Sequence, residues 1–312
     1  VAVATGCHKR FGFQFQRKIA VEFDGGEITG EAGLVLLREF DERLGLSAGL
    51  EKLFVDSRSG RKTKHPALDL LRQRIYQIAA GYPDGNDATF LRHDPAMQAI
   101  VHGTDDPLAS QPTLSRLEND APWESIRQFE RQGLRWFCRH DPEARKRTEE
   151  EIILDIDSTC DPTHGQQHLS FFNGHYDTHM YHPLFIFEGH SGILLASCLR
   201  PGDVGGIRQL LPLLRPTVRE LRGRFPKRPI ALRGDADFAK PDLLDYAEYA
   251  GCTYAFGMAR NRKLEACIEG LRKRAEEKWK LSGERVRLYT SFFYKTQSWG
   301  RARRMAAKVE YT

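Results

Sequence analysis

Hydrophobic and polar positions follow two different rhythms along the chain, and the change comes near residue 150. Before it, apolar residues recur at spacings of three and four, as at Leu71, Ile75 and Ile78 behind Pro66. This period is typical of amphipathic helices, and Pro is well tolerated in a first helical turn. After the change, short apolar runs bounded by turn residues are typical of strands. We therefore expect a mainly helical N-terminal region, residues 1–150, and a sheet after it.

The order of the later segments predicts a mixed sheet. Three apolar runs are separated only by turn residues, and helical and strand-like segments then alternate. The strands are predicted at 152–157, 181–187, 193–199, 229–233 and 253–257, and the helices at 206–222 and 241–250. Antiparallel strands need only turns between them, whereas parallel strands need a longer crossover. This order is typical of an α/β fold of the ribonuclease-H-like kind, placed at residues 151–260, in which the first and fourth strands are neighbours.

The last segment, residues 261–312, is basic. Its pattern predicts a helix at 264–280 and two antiparallel strands, 285–294 and 303–311. The net charge of the whole chain is only +5, so the local crowding of cations matters more than their total. A polyanion such as DNA fits this crowding, although solvated helix faces explain many such runs equally well. The candidates for DNA contact are Arg262, Lys263, Arg272, Lys273, Arg301, Arg303 and Arg304.

A second candidate for DNA contact lies in the helical region. Ser110 before Pro112 predicts the start of a short capped helix that carries Ser115 and Arg116. Such a helix can touch phosphates or base edges, as a recognition helix does. Short capped helices are far commoner than helices that read DNA, so a purely structural helix is the favoured interpretation of this segment alone.

Acidic residues end two of the predicted strands. Asp155 and Asp157 share one side of the first strand because successive side chains alternate, and Asp235 and Asp237 follow the fourth. If these strands are neighbours, Asp157 and Asp235 face each other and can hold Mg²⁺ or Mn²⁺. Aspartates at strand ends also commonly cap a following turn or helix. That alternative is serious for Asp235 and Asp237 and weaker for Asp157.

The remaining features narrow the class of protein. His164 belongs to a group of six histidines between residues 164 and 190, whose surroundings favour solvated or core histidines over a zinc site, and it is the one to test beside the acids. No apolar run is long enough to span a membrane and no signal peptide is evident. The six cysteines form no C-x-x-C pair. We expect a cytoplasmic protein without a disulfide framework.

Several ordered phrases together resemble bacterial insertion-sequence transposases of the DDE type, most closely the insertion-sequence thirteen-eighty family. They cover nearly the whole chain, and the set is specific where a single phrase is not. The phrases are Gly81-Tyr82-Pro83-Asp84, Leu91-Arg92-His93-Asp94-Pro95, Ala109-Ser110-Gln111-Pro112-Thr113, Leu154-Asp155-Ile156-Asp157-Ser158-Thr159, His164-Gly165-Gln166-Gln167, Tyr181-His182-Pro183-Leu184, Leu199-Arg200-Pro201-Gly202 and Arg233-Gly234-Asp235-Ala236-Asp237-Phe238.

The resemblance implies a site and partners. Asp157 would be the first catalytic acid and Asp235 the second, both metal ligands, with Asp155, His164 and Asp237 as accessory candidates. Two Mg²⁺ or Mn²⁺ ions are expected with a complete set of acids. The implied partner is DNA, both the terminal inverted repeats and the target, bound by a homodimer. The N-terminal region would bind the transposon ends, and residues 261–312 would begin a β-rich insertion.

The third acid of the family is a Glu on a later helix, within a spaced pattern of Tyr, Arg, Glu and Lys. No such pattern is found in this sequence, and Thr312 falls inside what would be the insertion. We therefore expect the chain to be a fragment whose third acid lies beyond Thr312. Glu310 is a poor substitute because it sits in a predicted strand.

Two other functions stay open at this level. The chain could be a catalytically inactive DNA-binding remnant that regulates transposition by competing for transposon ends. It could also be a nuclease of similar fold that performs no strand transfer. The leading hypothesis is a DNA transposase that cleaves and joins strands at insertion-sequence ends.

Overall fold

The computed structural model describes residues 11–16, 18–21, 29–56, 58, 63–104, 106–140 and 150–312. The chain divides into two compact units, residues 1–132 and 133–312.

Helices build most of the first unit. Its elements are β1 (Phe11–Gly12), β2 (Ala20–Val21), α1 (Leu34–Leu44), α2 (Leu46–Glu51), α3 (Ala67–Ala79), α4 (Ala88–Leu91), α5 (Pro95–Val101), α6 (Gln111–Asn119) and α7 (Trp123–Phe129). The mainly helical character that the hydrophobic period predicts is found here. The segment 109–119 forms α6, with Ser110 just before its first residue and Pro112 in its first turn.

The buried face of helix α3 differs from the one that the hydrophobic spacing predicts. It begins directly after Pro66, as expected, but Ile78 is 51% exposed, whereas Leu70 and Tyr76 are buried. The Tyr76 hydroxyl donates a hydrogen bond to the carboxylate of Asp41 on α1. Burial and this neighbouring carboxylate raise the pKa of Tyr76 well above its usual value. A buried tyrosine needs such a partner for its hydroxyl, and the pairing fixes the rotation of α3.

A five-stranded sheet forms the centre of the second unit. Its strands and those of a smaller sheet are β3 (Ile152–Ser158), β4 (Asp161–Pro162), β5 (Phe171–Asn173), β6 (Thr178–Tyr181), β7 (Leu184–Glu188), β8 (Leu194–Cys198), β9 (Ile230–Gly234) and β10 (Thr253–Phe256). The order in the main sheet is β10-β9-β3-β7-β8. Strand β3 is antiparallel to β7 and parallel to β9. The predicted mixed sheet of ribonuclease-H-like order is therefore confirmed.

The smaller sheet has the order β4-β6-β5 and corrects one predicted strand. The run 181–187 is not continuous, because β6 ends at Tyr181 and β7 begins at Leu184. Pro183 lies between them and has no N–H to donate to a strand neighbour. His182 is buried there, and its Nδ1 lies 2.7 Å from the Val204 carbonyl oxygen. One apolar run in the sequence thus serves two different sheets.

In the described part of the second unit, three helices cover the main sheet: α8 (Gln132–His140), α9 (Leu210–Arg224) and α10 (Pro241–Tyr249). The core between them includes Leu134 of α8, Leu214 of α9, Leu243 of α10 and, from β3, Leu154 and Ile156. Because α8 belongs to this core, the compact unit starts at residue 133, whereas we expected the sheet domain to start at residue 151.

Arg200 is a buried clamp in this unit, 1% exposed. Its Nε donates to the His182 carbonyl oxygen at 2.8 Å, and its Nη1 donates to the carbonyl oxygens of Gly206 and Arg208 at 2.9 and 3.1 Å. Burial lowers the pKa of Arg200. Close by, a Cβ added at Gly202 would lie 2.1 Å from the Met180 carbonyl oxygen, so only glycine fits. These residues hold the loop between β8 and α9 against the smaller sheet.

The end of the chain forms α11 (Arg262–Ser282) and a hairpin of β11 (Val286–Tyr294) and β12 (Arg303–Tyr311). The antiparallel pairing runs from Val286 opposite Tyr311 to Tyr294 opposite Arg303, as predicted. Leu271 and Ala275 of α11 pack against Val309. Within the described part of the chain, no helix combines the length and apolar character that a membrane span requires.

Arg303 ties the hairpin to α10. It is 5% exposed, and its guanidinium pairs with Asp245 and with Glu248, the latter through Nε at 2.8 Å. It also stacks over Trp299, with 5.1 Å between Cζ and the ring centroid. Hydrogen bonds from Arg303, Tyr254 and Arg301 hold the pKa of Glu248 at about 2, below its ordinary value of 4.5.

Replacing Arg200 with methionine, Arg200→Met, should lower the free energy of unfolding by about 3 kcal/mol. Three carbonyl oxygens, one buried and two partly buried, lose a charged donor, and such hydrogen bonds contribute about 1.5–3 kcal/mol each before relaxation. Urea unfolding followed by tryptophan fluorescence measures the change. Arg208→Met is the control, since that side chain is exposed, and it should stay within about 0.5 kcal/mol of wild type. If the two variants lowered the free energy of unfolding equally, the stabilising role of the Arg200 hydrogen bonds would be refuted.

The Glu248 pairing predicts a pH dependence of stability. Because the folded pKa lies below the ordinary value, the stabilisation is complete above pH 4.5 and is lost as the pH falls towards 2. Glu248→Gln should therefore be less stable than wild type above pH 4.5, and the gap should narrow as the pH approaches 2. Urea unfolding at several pH values tests this, with Glu277→Gln, an exposed carboxyl of α11, as the control. If the free energies of unfolding of wild type and Glu248→Gln changed with pH in parallel, the stabilising role of the Glu248–Arg303 pairing would be excluded.

Candidate active site

The site begins with strand β3, whose alternation separates core from solvent. Leu154 and Ile156 are 0% and 2% exposed, while Asp157 is exposed and Asp155 is partly buried. Because side chains alternate along a strand, the two acids lie on the face opposite the two apolar residues. The β-branched and aliphatic run thus fixes the strand in the sheet and leaves its acidic end in solvent.

Strand β9 brings the second acid to the same place. In the parallel register of β3 and β9, Asp155 lies opposite Arg233 and Ile156 opposite Gly234. The next residues of the two strands are Asp157 and Asp235. Neighbouring strands lie about 4.8 Å apart, so the two carboxylates leave the sheet side by side. The predicted pairing of the first and fourth strands is confirmed.

Each of these carboxylates is held through one oxygen. Oδ1 of Asp157 accepts a hydrogen bond from the Ser158 N–H at 2.8 Å, and Oδ1 of Asp235 accepts one from the Asp237 N–H at 2.9 Å. The second bond caps a 3₁₀ turn at Ala236–Phe238, so the capping role considered for Asp235 is real. Among the described residues, none donates to either Oδ2. The backbone therefore orients both carboxylates and leaves one oxygen of each open.

Gly234 permits the close packing just before Asp235. A Cβ at this position would lie 3.0 Å from Phe238 Cδ2 and 3.1 Å from the Ile156 carbonyl oxygen. These distances are tighter than ordinary contacts, so a larger residue would push β9 or the turn away. The glycine keeps the end of β9 against β3 and so keeps the two acids together.

Asp155 has a different role from the accessory one that we expected. It forms a two-point ion pair with Arg233, with Nε to Oδ1 and Nη2 to Oδ2 both at 2.5 Å. Both of its oxygens are therefore used inside the protein, and the pairing raises the pKa of Arg233. Arg233 is the residue that the sequence interpretation missed. Its position two residues before Asp235, as Asp155 precedes Asp157, is the signal that could have found it.

Among the described residues, no hydrogen bond joins the side chain of Asp237 or of His164 to Asp157 or Asp235; of these two candidates, only Asp237 contacts the pair, through its backbone N–H. Asp237 is exposed in the 3₁₀ turn, and His164 is exposed in the loop after β4, where Gln167 donates to its carbonyl oxygen. Glu310 is bound by Lys308, Arg285 and Arg287, and the first two hold its pKa at about 2. Glu310 is thus committed to the hairpin and does not supply a third acid.

The donor chemistry of the pair suits a hard cation. Carboxylate oxygens are the ligands that Mg²⁺ and Mn²⁺ prefer, and Mg²⁺ keeps several waters when proteins bind it through one or two carboxylates. Asp157 and Asp235 fit this pattern with the oxygens that they leave open. Among the described residues, no group of three or more His, Cys, Asp or Glu is placed to hold a metal ion. The described residues therefore offer two carboxylates, Asp157 and Asp235, at this point of the sheet.

The candidates for DNA contact differ in their exposure to solvent. Arg303 is buried in its ion pairs, so we assign it a structural role in place of the predicted contact with DNA. Arg301 also pairs with Glu248, although most of its side chain is exposed. Ser115 accepts a hydrogen bond from Asn119 Nδ2. The exposed candidates are Arg116 on α6, Arg262, Lys263, Arg272 and Lys273 on α11, and Arg304 on β12.

Comparison with solved structures finds transposases of low similarity. The piggyBac transposase synaptic complex with hairpin DNA shares 12% identity at a TM-score of 0.35; the match covers 96% of this chain and 62% of that one, so this chain spans about three fifths of its length. The Mos1 transposase paired-end complex with left transposon end shares 12% identity at a TM-score of 0.25, and the match covers 73% of this chain and 78% of that one. The Mos1 strand transfer complex shares 11% identity at a TM-score of 0.23, and the match covers 83% of this chain and 92% of that one. No curated protein matches the chain.

The comparison with family models identifies the family of the chain, which the low similarity to solved structures does not. A model described as transposase DDE domain group 1 matches residues 11–312. The match includes both β3 with Asp157 and β9 with Asp235, the strands that the sheet places side by side. The chain therefore belongs to the family of transposase DDE domains, group 1.

Proposed function

We propose that this chain carries the metal-binding acids of a DNA transposase that cleaves and joins strands at insertion-sequence ends. The observation that carries the proposal is the parallel register of β3 and β9, which sets Asp157 beside Asp235 with one open oxygen on each. Membership of the family supports the same chemistry. The finer placement in the insertion-sequence thirteen-eighty group, action in the cytoplasm and assembly as a homodimer belong to this proposal.

The two aspartates would hold Mg²⁺ or Mn²⁺, which when bound supplies activation of the attacking oxygen and stabilisation of the leaving oxygen. The protein's part is to orient the ligands. Hydrogen bonds from the Ser158 and Asp237 N–H groups fix each carboxylate before any ligand arrives. Arg233 occupies Asp155 and so keeps the next acid along β3 from competing for the cation.

The outer face of the β11–β12 hairpin supports DNA as the partner. Tyr289 and Phe293 are 69% and 76% exposed there. Lys308 lies opposite Tyr289, and Arg304 lies opposite Phe293. Cations beside exposed aromatic rings suit nucleic acid, since the cations contact phosphates and the rings stack on bases. We propose this face and the exposed cations of α11 as backbone contacts, and the helical region 1–150 as the part that binds transposon ends.

A second candidate function is a DNA-binding chain without catalytic activity that regulates transposition. It is favoured because, among the described residues, no group of three or more His, Cys, Asp or Glu is placed to hold a metal ion. The two functions share their DNA contacts and differ in strand cleavage. Cleavage and metal binding must therefore be measured separately from DNA binding.

Asp157→Asn and Asp235→Asn should each lower the affinity for Mn²⁺ at least tenfold and abolish any Mn²⁺- or Mg²⁺-dependent strand cleavage, while DNA binding in EDTA is unchanged. The amide keeps the shape of the side chain but removes the charge that a hard cation requires. Electron paramagnetic resonance measures free Mn²⁺, and nicking of supercoiled DNA measures cleavage.

Two neighbouring substitutions serve as controls for this experiment. Asp155→Asn, on the same face of β3, should keep Mn²⁺ binding because Asp155 is bound by Arg233. Asp177→Asn removes an equal charge from an exposed turn and should change nothing. Mn²⁺ binding lost with Asp155→Asn but kept with Asp157→Asn would exclude the proposed ligands. Mn²⁺ bound by wild type without cleavage would support the regulatory function.

Arg304→Gln and Lys308→Gln should weaken DNA binding and reduce its salt dependence. For duplex DNA, each lost phosphate contact lowers the slope of log affinity against log salt concentration by about 0.9. Fluorescence anisotropy of a labelled duplex at several salt concentrations gives the slope. The matched control is Lys227→Gln, an exposed lysine before β9. A slope that is the same for all variants would remove the hairpin from the DNA interface.

A further inference from the structure

The first unit contains a cleft of about 590 Å³ beside α6. Its walls carry cationic side chains from three separate stretches of the chain: Arg58 and Lys64, Arg92, and Arg116. Two carboxylates, Asp56 and Asp120, also line it. The stretches are far apart in sequence, so the concentration of positive charge arises only on folding.

Most of this positive charge is not neutralised inside the protein. Arg58 pairs with Asp56, with 2.7 Å between Nη2 and Oδ2. In the part of the chain that the structure describes, Lys64, Arg92 and Arg116 form no ion pair. Arg116 has only a long contact of 3.5 Å with the Thr113 hydroxyl. The cleft therefore offers three cations to a ligand.

Arg92, in the wall of the cleft, has a donor without an acceptor. Its Nε is buried and, among the described residues, finds no hydrogen-bond partner. A buried N–H of a charged group that lacks an acceptor is unfavourable, and such groups call for a specific explanation. Arg92 therefore brings a positive charge to the wall of the cleft that no acceptor of the described residues neutralises at Nε.

The hydroxyls at the start of α6 add neutral donors to the same cleft. Ser110 and Thr113 line it, and their oxygens lie 3.1 Å apart. Ser110 precedes α6 but its side chain makes no capping hydrogen bond. Hydroxyl hydrogens rotate to suit their partner, so both groups can donate to a phosphate oxygen.

His65, in the wall of the cleft, reports on this environment. Its pKa is lowered first by burial and then by the positive charges of Lys64, His102, Arg92 and Arg58. The second cause reflects the excess of positive charge around His65. Anion binding there would act in the opposite direction on the imidazole.

We propose that this cleft binds a phosphate group through Lys64, Arg92 and Arg116, and that in the working protein the group is a backbone phosphate of DNA. The DNA assignment rests on the proposed function, whereas the phosphate chemistry rests on the cleft alone. Arginine presents several N–H donors in a plane that matches phosphate oxygens. The volume exceeds that of one phosphate ion and leaves room for attached sugar.

Nuclear magnetic resonance of His65 in the full chain tests the phosphate chemistry. Titration with inorganic phosphate should raise the pKa of His65, since the anion offsets the surrounding positive charge. Arg92→Gln should abolish the shift, and Arg43→Gln, an exposed arginine of α1, should retain it. If Arg92→Gln misfolds by circular dichroism, Arg116→Gln at the exposed wall replaces it. A pKa of His65 that does not respond to phosphate in wild type would overturn the proposal.

Anisotropy of a labelled duplex in EDTA tests the source of the phosphate. Arg116→Gln and Lys64→Gln should each raise the dissociation constant about tenfold, with Arg43→Gln unchanged, and inorganic phosphate should compete with the duplex. A His65 response to phosphate without any effect of these variants on duplex binding would overturn the DNA assignment and leave a site for a free phosphate compound. Duplex binding is measured in EDTA and so does not depend on metal ions. An absence of strand cleavage would therefore contradict the proposed catalytic function but would leave the duplex-binding result unchanged.

Discussion

Parallel pairing of β3 with β9 is the constraint on which the site depends. The register that sets Ile156 opposite Gly234 also makes Asp157 and Asp235 neighbours. A shift by one residue would turn one acid into the core and bring an apolar side chain to the surface. The buried faces of Leu154, Ile156 and Leu232 prevent this shift. The energy that positions the acids therefore comes from apolar packing on the other side of the strands.

Several sequence phrases that look functional maintain this scaffold. His182 and Arg200 are buried, and both contact backbone carbonyl oxygens of the loop that leads to α9. Arg200 also donates to the carbonyl oxygen of His182 itself. Gly202 is required because that loop touches the smaller sheet. Polar residues in an ordered motif therefore need not contact a substrate. Here they fix the long connection that carries the chain across to β9.

The sheet order was predictable because turns and helical crossovers between apolar runs restrict how strands can pair. Contacts that depend on register or on distant segments were not. The pairing of Asp155 with Arg233 requires knowing which residues of β3 and β9 are opposite, and the burial of Arg303 depends on Glu248 of α10. Arg303 and Arg304 are adjacent and chemically identical, yet only Arg304 faces solvent. The cleft beside α6 joins three stretches that no local pattern connects.

The setting of the two aspartates supports the proposed binding of a cation. Two carboxylates on neighbouring strands repel each other, and each is fixed by a backbone N–H, so neither can turn away freely. The sheet holds them together against this repulsion. Arg233 could relieve it, but its guanidinium is already bound at two points by Asp155. With that arginine occupied, the proposed divalent ion between the open oxygens would neutralise the pair, so the Asp155–Arg233 contact supports the proposed metal binding without contributing a ligand.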